Sequence, residues 1–453
     1  MNQHFLDYYR CPQSYANFQT NGSLSEDAGY FRWGQDTICY GRTASGARSA
    51  TADTTNYDTQ RDLEVRDSKV YLPFDSEEVL ENLQRERYSV HFREPSGFSN
   101  ELLRQAYYLL RPLLTVQVRK HLQKFHLRNW PSIPFPEWPV DCTVDRLQRK
   151  LMALAMRANG IEKMPFIWFW PNQHESCVII THDVEAIAGK EFCPRLMDID
   201  ESFGFRSSFQ VVPEERYPVS RSYLDLITNR GFEVNVHDLK HDGHLFAHFD
   251  EFSKRVDLVN KYGRQFGAGG FRSGALYRNA DWYDALHFQY DMSIPNVAHL
   301  DPQRGGCCTV MPYFIGKMIE IPVTCTQDYT LFHILDDYSI DLWKKQIELI
   351  RAHNGIISIL VHPDYIIEPR AQDVYRNLLG YVTDLRDHNH LWTPLPGEVA
   401  AWWRLRSRME LVCEGGKWRV EGPGKERASV AYAYATGDSV TFSQTGEERP
   451  SDS

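Results

Sequence analysis

The sequence holds no apolar run of the length a bilayer span needs. Its start, MNQHFLDYYRCPQSYANFQT, lacks the basic region, apolar core and small-residue cleavage site of a secretory signal. No membrane span is expected, and the default location is the cytoplasm. An excess of positive charge is also missing. Fifty Lys and Arg against 60 Asp and Glu give a net charge of -10, which excludes a general attraction to nucleic acid or to anionic membrane. GxGxxG and Walker A patterns are both absent, so no dinucleotide or nucleotide-phosphate cradle is expected. The nine Cys are scattered without a CxxC, and Cys307 and Cys308 are adjacent. This predicts buried thiols in place of a disulfide framework or a zinc knuckle.

What is present is a folded, aromatic-rich chain of 453 residues, 42% apolar, with 24 Phe, 24 Tyr and 11 Trp. That length corresponds to about three domains, or to one barrel with substantial additions. Four regions follow from the pattern: a mixed segment 1–95, a helical and Pro-rich connection 96–170, a core 171–405, and a small β appendage with a flexible tail, 406–453. In the connection, SNELLRQAYYLLRPLLTVQVRKHLQKFHL has helical spacing that Pro112 kinks or divides, and NWPSIPFPEWPV reads as an extended arm.

In the core, SCVIITHDVE, FRSSFQVV, FEVNVHDL, FGAGGFRS, YDMSIPNV, MIEIPVT and GIISILVHPDY read as strands, with HLWTPL as an eighth. Between them lie SRSYLDLITNRG, LFAHFDEFSKRVDLVNKYG, ADWYDALHF and SIDLWKKQIELIRAHNG, which read as helices, with Gly231, Gly263 and Gly355 at capping positions. Alternating strands and helices imply an α/β fold with parallel strands. His182, Asp183, Glu185, His237, His241, Arg272 and His362 fall at the C-terminal ends of four of these strands, where a barrel collects its chemistry. A (β/α) barrel is therefore favoured over an open sheet.

His237 and His241 are four residues apart at a strand mouth, so a tight turn can bring both imidazoles to one divalent metal, with an acid from another strand completing the set. His244 and His248 offer alternative spacings, and a pair of turn histidines bonded to nearby acids is the plain alternative. THDVE supplies Asp183 and Glu185, either of which can bind a metal, while Asp183 can also accept a proton. Arg272 in GGFRSGALYRN is positioned to lower the Asp183 pKa. His362 can donate a proton, oriented by Asp328 or Asp291. Trp282, Trp392 and Trp402 are candidates for stacking on sugar faces, although most tryptophans belong to the core.

The order of these motifs from Cys177 to Pro394 resembles the NodB-type polysaccharide deacetylases, carbohydrate esterase family 4. THDVE stands where that family usually has TFDDG. The resemblance implies a distorted (β/α) barrel, here with an extra N-terminal region and a small C-terminal β appendage. It implies hydrolysis of an acetyl group from an N-acetylated sugar or glycan, dependent on one divalent metal ion, zinc for preference. It places the catalytic base on Asp183, the base-steadying arginine on Arg272 of GFRSG, and the acid on His362 of LVH. The metal ligands fall on His237, His241 and Glu185, the last as a shifted acid because Val184 occupies the usual aspartate position. Asp238 stands where Ser or Thr is common. An oxyanion would be held by a backbone N–H in a loop such as that near Tyr217. Two alternatives are a metal-dependent hydrolase of another amide or acyl substrate and a catalytically inactive carbohydrate-binding protein.

Overall fold

The computed structural model describes residues 2–45, 48–53, 55–89, 127, 129–388 and 390–445. The helical segment expected over 99–127 lies outside them except for Leu127. Two short helices open the chain because each has a side-chain cap. The Asn2 side chain accepts from Phe5 N ahead of α1 (Gln3–Tyr9), and Asp75 accepts from Glu77 N and Glu78 N ahead of α2 (Ser76–Gln84). Between them run β1 (Phe18–Thr20), β2 (Gly29–Arg32), β3 (Ile38–Gly41), β4 (Glu64–Arg66) and β5 (Lys69–Leu72). These make a three-stranded sheet, β1-β5-β4, and a β2-β3 hairpin. Next come α3 (Thr143–Ala158), whose apolar face is buried, and β6 (Lys163–Ile167).

All seven apolar runs of the core form strands: β7 (Ser176–Val184), β8 (Ser208–Val211), β9 (Glu233–His237), β10 (Gly270–Arg272), β11 (Tyr290–Asp291), then, after a short β12 (Tyr313–Ile315), β13 (Met318–Glu320) and β14 (Ile356–Val361). The eighth, β15 (Leu391–Trp392), pairs with the start of β7. The sheet order is β12-β13-β11-β10-β9-β8-β7-β14, parallel except for the β12-β13 hairpin. It is a curled, open half-barrel. No ladder joins its edges among the described residues. Instead, the chain after β13 is fastened to β14 by Cys325 N donating to Ser358 O at 3.3 Å and by Thr324 Oγ1, which accepts from Ser358 N and donates to Ile356 O, both at 2.8 Å.

The outer helices are α4 (Ile187–Ser202), α5 (Arg221–Thr228), α6 (Phe249–Phe266), α7 (Asp341–Arg351), α8 (Pro369–His388) and α9 (Pro396–Arg406). ADWYDALHF forms a 3₁₀ run, Ala280–Ala285, where a helix was expected. Of the three capping glycines, Gly231 has the left-handed φ of 80° that the role requires. Gly263 instead lies inside α6, where a Cβ would sit 2.7 Å from the Phe288 ring, and Gly267 caps that helix. At the end of α7 the left-handed residue is Asn354, with Gly355 following it.

The alternation along β7 sets the site. Cys177 and Ile179 pack into the core inside the curled sheet together with Met292, Ile321 and Ile356. Val178, Ile180 and Val184 pack outward against Leu196, Met197 and Leu378. Odd-numbered residues therefore face the concave side.

Two buried arginines weld the flanking regions to this core. Arg278, after β10, donates from Nε and Nη2 to the two carboxylate oxygens of Glu86, and each residue is 1% exposed. Arg406 has no carboxylate partner among the described residues. It donates to the carbonyls of Trp168, Ile167, Tyr8 and Asp7 at 2.7–3.2 Å, and burial brings its pKa down to about 9. At the C-terminus, β16 (Glu410–Glu414) and β17 (Lys417–Glu421) form a hairpin, as do β18 (Val430–Thr436) and β19 (Ser439–Ser443). β18 also pairs with β6. All nine cysteines are free thiols, eight of them buried, with Cys413 exposed. Among the described residues no helix is long and apolar enough to cross a membrane.

Candidate active site

Asp183 and Glu185 are two residues apart on and just beyond a strand, so both side chains take the concave face that Cys177 and Ile179 occupy lower down. Val184, between them, is fully buried on the helix side. This alternation explains why an acid at position 185, and not at 184, reaches the site. His237 ends β9, and a turn through Asp238 and His241, with φ of 57° and 54°, folds the second imidazole back over the first. Their ring centroids are 4.9 Å apart. Asp238 holds that turn by accepting from Leu239 N and Gly274 N, which gives the Asp at this position a structural use.

Glu185 Oε1 is the hub of the cluster. It lies 2.8 Å from His241 Nε2, 3.6 Å from His237 Nε2 and 3.4 Å from His362 Nε2. Glu185, His237 and His241 offer three donor atoms within 4.8 Å of one another, and so do Asp183, Glu185 and His362. The fit of a divalent ion is visible in what the imidazoles leave undone: Nε2 of His237 and of His241 are buried and form no hydrogen bond of acceptable geometry. Two imidazole nitrogens that converge on a carboxylate in this way form a donor set able to coordinate a divalent ion. The His237 Nδ1 faces Arg272 O at 3.1 Å, the outer partner that fixes the tautomer of a ligating histidine. His241 differs, because the exposed Arg216 donates to its backbone carbonyl and also approaches its Nδ1 at 3.2 Å. Ligation through Nε2 requires that second approach to be released.

Arg272 is fully buried. It donates from Nη1 to Asp183 Oδ1 at 2.8 Å and to Thr181 Oγ1 at 2.9 Å, and from Nε to Met292 O at 2.9 Å. Burial pushes the Asp183 carboxyl up, and Arg272 with the nearby imidazoles outweighs it, leaving Asp183 below the usual carboxylate range. Glu185 is affected in the same way and lies well below that range, His241 opposing the effect of burial most strongly. On the other side, Asp328 accepts from His362 N at 2.8 Å and takes His362 Nδ1 at 2.6 Å. Burial lowers the His362 pKa, but the Asp328 and Glu185 charges prevail and hold it well above the ordinary imidazole value.

Of the seven strand-end residues singled out in the sequence, six, Asp183, Glu185, His237, His241, Arg272 and His362, thus meet at one end of the sheet. His182 does not. It points outward, bonded to Val361 O at 3.1 Å and Asp200 at 3.0 Å, and Asp200 also accepts from Ser207 and Tyr375. His244 and His248 are exposed. Of the two orienting acids considered, Asp328 reaches His362, whereas Asp291 bonds Ser293 in the strand next to Glu320. Tyr217 is buried beneath β7, its hydroxyl donating to Val184 O at 2.6 Å. Trp402 is core, with Nε1 on Phe169 O, Trp392 packs on Trp170, and Trp282 stacks on Phe246. The aromatic wall of the site is one the sequence reading missed: Tyr365 packs on His362 at 4.9 Å, with Tyr329 and His333 against it. Tyr329 immediately precedes a π-helical turn, Thr330–Ile334, a form common at functional sites but without a sequence signature.

The position of Val184 makes a prediction. Val184→Asp is expected to add no ligand and to cost about 4 kcal/mol by burying an unpaired carboxylate among aliphatic side chains. Urea unfolding and metal content measured on the variant check both parts.

No family model matches the sequence, and no curated protein matches it. Among solved structures, the chain is similar to a protein of Mycobacterium smegmatis provisionally assigned as a polysaccharide deacetylase, with 18% identity and a TM-score of 0.44 over 55% of this chain and 98% of that one. It is similar to PuuE allantoinase, with 12% identity and a TM-score of 0.41 over 52% and 92%. A protein of Pseudomonas aeruginosa PAO1, also provisionally assigned as a polysaccharide deacetylase, matches with 12% identity and a TM-score of 0.42 over 52% and 93%.

Proposed function

We propose that this chain is a divalent-metal-dependent hydrolase that removes an acetyl group from an N-acetylated sugar or glycan. One observation carries the reading: a His-His-Glu donor set with unbonded Nε2 atoms lies between an Arg-clamped carboxylate and an Asp-held imidazole. His237, His241 and Glu185 would hold the ion, zinc for preference given two imidazoles and one carboxylate, and the ion would supply Lewis acidity toward an acyl oxygen and a more acidic water. Asp183 is the base. Arg272 keeps it ionised and directs Oδ1 to itself, leaving Oδ2, 3.6 Å from His237 Nε2, to receive a proton. His362 is the acid. Its Nδ1 is committed to Asp328, so Nε2 carries the proton that passes to the leaving amine.

Acetate release from a panel of N-acetylated sugars and oligosaccharides, O-acetyl esters and linear amides tests the reading. Metal-loaded wild type is expected to turn over an N-acetyl substrate, with Asp183→Asn slower by about 10²–10⁴-fold. Turnover of linear amides alone would assign the site to another hydrolase. Glycan binding without turnover would make the chain a binding protein.

The His362 pair also predicts a pH profile. Because its pKa is raised, His362 remains an acid through neutral pH; protonation of Asp183 sets the acid limb of activity, and the loss of a proton from His362 sets the alkaline one. Asp328→Asn removes the largest upward influence, so this limb is expected to move toward lower pH, and kcat/KM profiles of the two proteins measure the displacement. The stability linkage has the same sign. A raised folded pKa contributes stability fully present below the unfolded value of about 6.5, lost as pH rises through the folded value.

A further inference from the structure

The loop after β8 carries a guanidinium to the rim of the histidine and carboxylate cluster. Buried Tyr217 fixes the loop, its hydroxyl donating to Val184 O at 2.6 Å and accepting from Val212 N at 3.1 Å. Glu214 N donates to Leu239 O at 3.0 Å, so the loop lies along the turn that positions His241. Arg216 is exposed, yet its head group is held at that turn. Nε donates to Lys240 O at 3.2 Å, and Nη2 donates to His241 O and approaches Nδ1 of the same residue. One imidazole separates the guanidinium from Glu185, because His241 Nε2, across the ring, stands 2.8 Å from Glu185 Oε1.

Two properties set this arginine apart from the cations around it. The first is unspent charge. Lys240 pairs with Glu215 at 2.6 Å, Arg255 with Asp242 at 2.7 Å and Arg272 with Asp183 at 2.8 Å. Arg216 has no carboxylate partner among the described residues, although two glutamates precede it. Glu214 instead accepts from the Tyr262 hydroxyl at 3.0 Å, and Glu215 is taken by Lys240. The second is order. An exposed arginine ordinarily keeps its rotamer freedom and loses it when it binds. Two backbone carbonyls have already fixed Arg216 through Nε and Nη2, while Nη1 bonds to nothing among the described residues. A pre-ordered guanidinium without a counter-charge is suited to a carboxylate or a phosphate.

We infer that Arg216 is a specificity-determining residue that binds an anionic substituent, carboxylate or phosphate, on the substrate. The inference rests on the proposed reaction: the acetylated unit lies at His237, His241 and Glu185, and its anionic group reaches the rim where Arg216 is held. With a net charge of -10 the chain has no general attraction for anions, so the preference is local to this guanidinium.

Matched sugars test it. N-acetylglucosamine is compared with its 1-phosphate, its 6-phosphate and the corresponding uronic acid, by saturation-transfer NMR on the full chain and by acetate release from metal-loaded protein. Wild type is expected to favour at least one anionic sugar about tenfold, in Kd and KM more than in kcat, and less so as ionic strength rises from about 0.05 to 0.5 M. Preference for the uronic acid alone assigns a carboxylate, and preference for a phosphate sugar alone assigns a phosphate. In Arg216→Met the ratio of anionic to neutral affinity should fall to about one, and Arg216→Lys should keep part of it, since a point charge remains without the fork. If Arg216 only held the His241 turn, its loss would weaken neutral and anionic sugars alike, and an unchanged ratio overturns the inference. Equal affinity of wild type for neutral and anionic sugars, or no saturable binding of any of the four, also overturns it. Anion preference that disappears in Arg216→Met without acetate release in wild type would remove the proposed reaction and leave the role of Arg216 standing.

Discussion

Protein purified without added metal is expected to carry about one divalent ion per chain, and the His237→Ala/His241→Ala variant none, with acetate release falling to background. The size of the effect follows from the donor set. Three protein donors converge within 4.8 Å, and removing both imidazoles leaves only the second set, Asp183, Glu185 and His362, in which Asp183 is clamped by Arg272 and His362 Nδ1 is held by Asp328. Two carboxylates and one imidazole already committed to Arg272 and Asp328 hold a transition-metal ion far more weakly than a free His-His-Glu set, so the loss is expected to be near complete. Elemental mass spectrometry reads it directly. Stability should respond as well, since an ion that binds only the folded chain adds RT ln(1 + [L]/Kd), about 4 kcal/mol at a thousandfold excess over Kd. Wild type stripped by chelator should therefore melt lower, and the double variant should be indifferent to chelator. Wild type without an ion after reconstitution, or a double variant that retains one, would remove the metal from the proposed function.

The parts of the molecule legible in the sequence are those governed by short-range pattern. The seven core strands announced themselves as brief apolar runs, and Asp183, Glu185, His237, His241, Arg272 and His362 as polar residues ending them. β12 was not legible. It is three residues long and pairs only with β13 across the turn at Gly316, so it has too little length for a period. β6 contains Pro165, which argues against a strand, yet it pairs with β18 more than 260 positions along the chain. His182 was read onto the wrong side because membership of a motif says nothing of the face, whereas counting the alternation from Cys177 and Ile179 would have turned it outward. The choice of Asp328 over Asp291 rests on the sheet curling until the chain after β13 meets β14, a contact across 34 positions that no local signal encodes. The N-terminal region was opaque for the same reason. Its fastenings, Glu86 to Arg278 and Arg406 to the carbonyls of α1, join residues 192 to 399 positions apart.

Arg272→Met is expected to be strongly destabilising, costing about 3–5 kcal/mol near neutral pH. Asp183 is 2% exposed, and its charged form is maintained by Arg272 against the penalty of burial. Without the guanidinium only the His237 and His362 imidazoles oppose that penalty, and Asp183 is expected to take up a proton at higher pH than the free residue does. The linkage consequently changes sign. In wild type the folded Asp183 pKa is lowered, so its stabilisation is present above the unfolded value of about 3.9 and lost as pH falls through the folded value. In the variant the folded pKa is raised, so the destabilisation is greatest at neutral pH and relieved on acidification toward about 4. Urea unfolding at several pH values should show the two curves converging as pH falls. The double variant Asp183→Asn/Arg272→Met separates charge from packing. Removing both partners eliminates the buried unpaired carboxylate, so this protein should recover much of the loss, with a coupling energy of about 1–3 kcal/mol. If Arg272→Met were as unstable with Asn at 183 as with Asp, the arginine would act through its hydrogen bonds to Thr181 Oγ1 and Met292 O, and its assignment as the group that keeps the base ionised would fail.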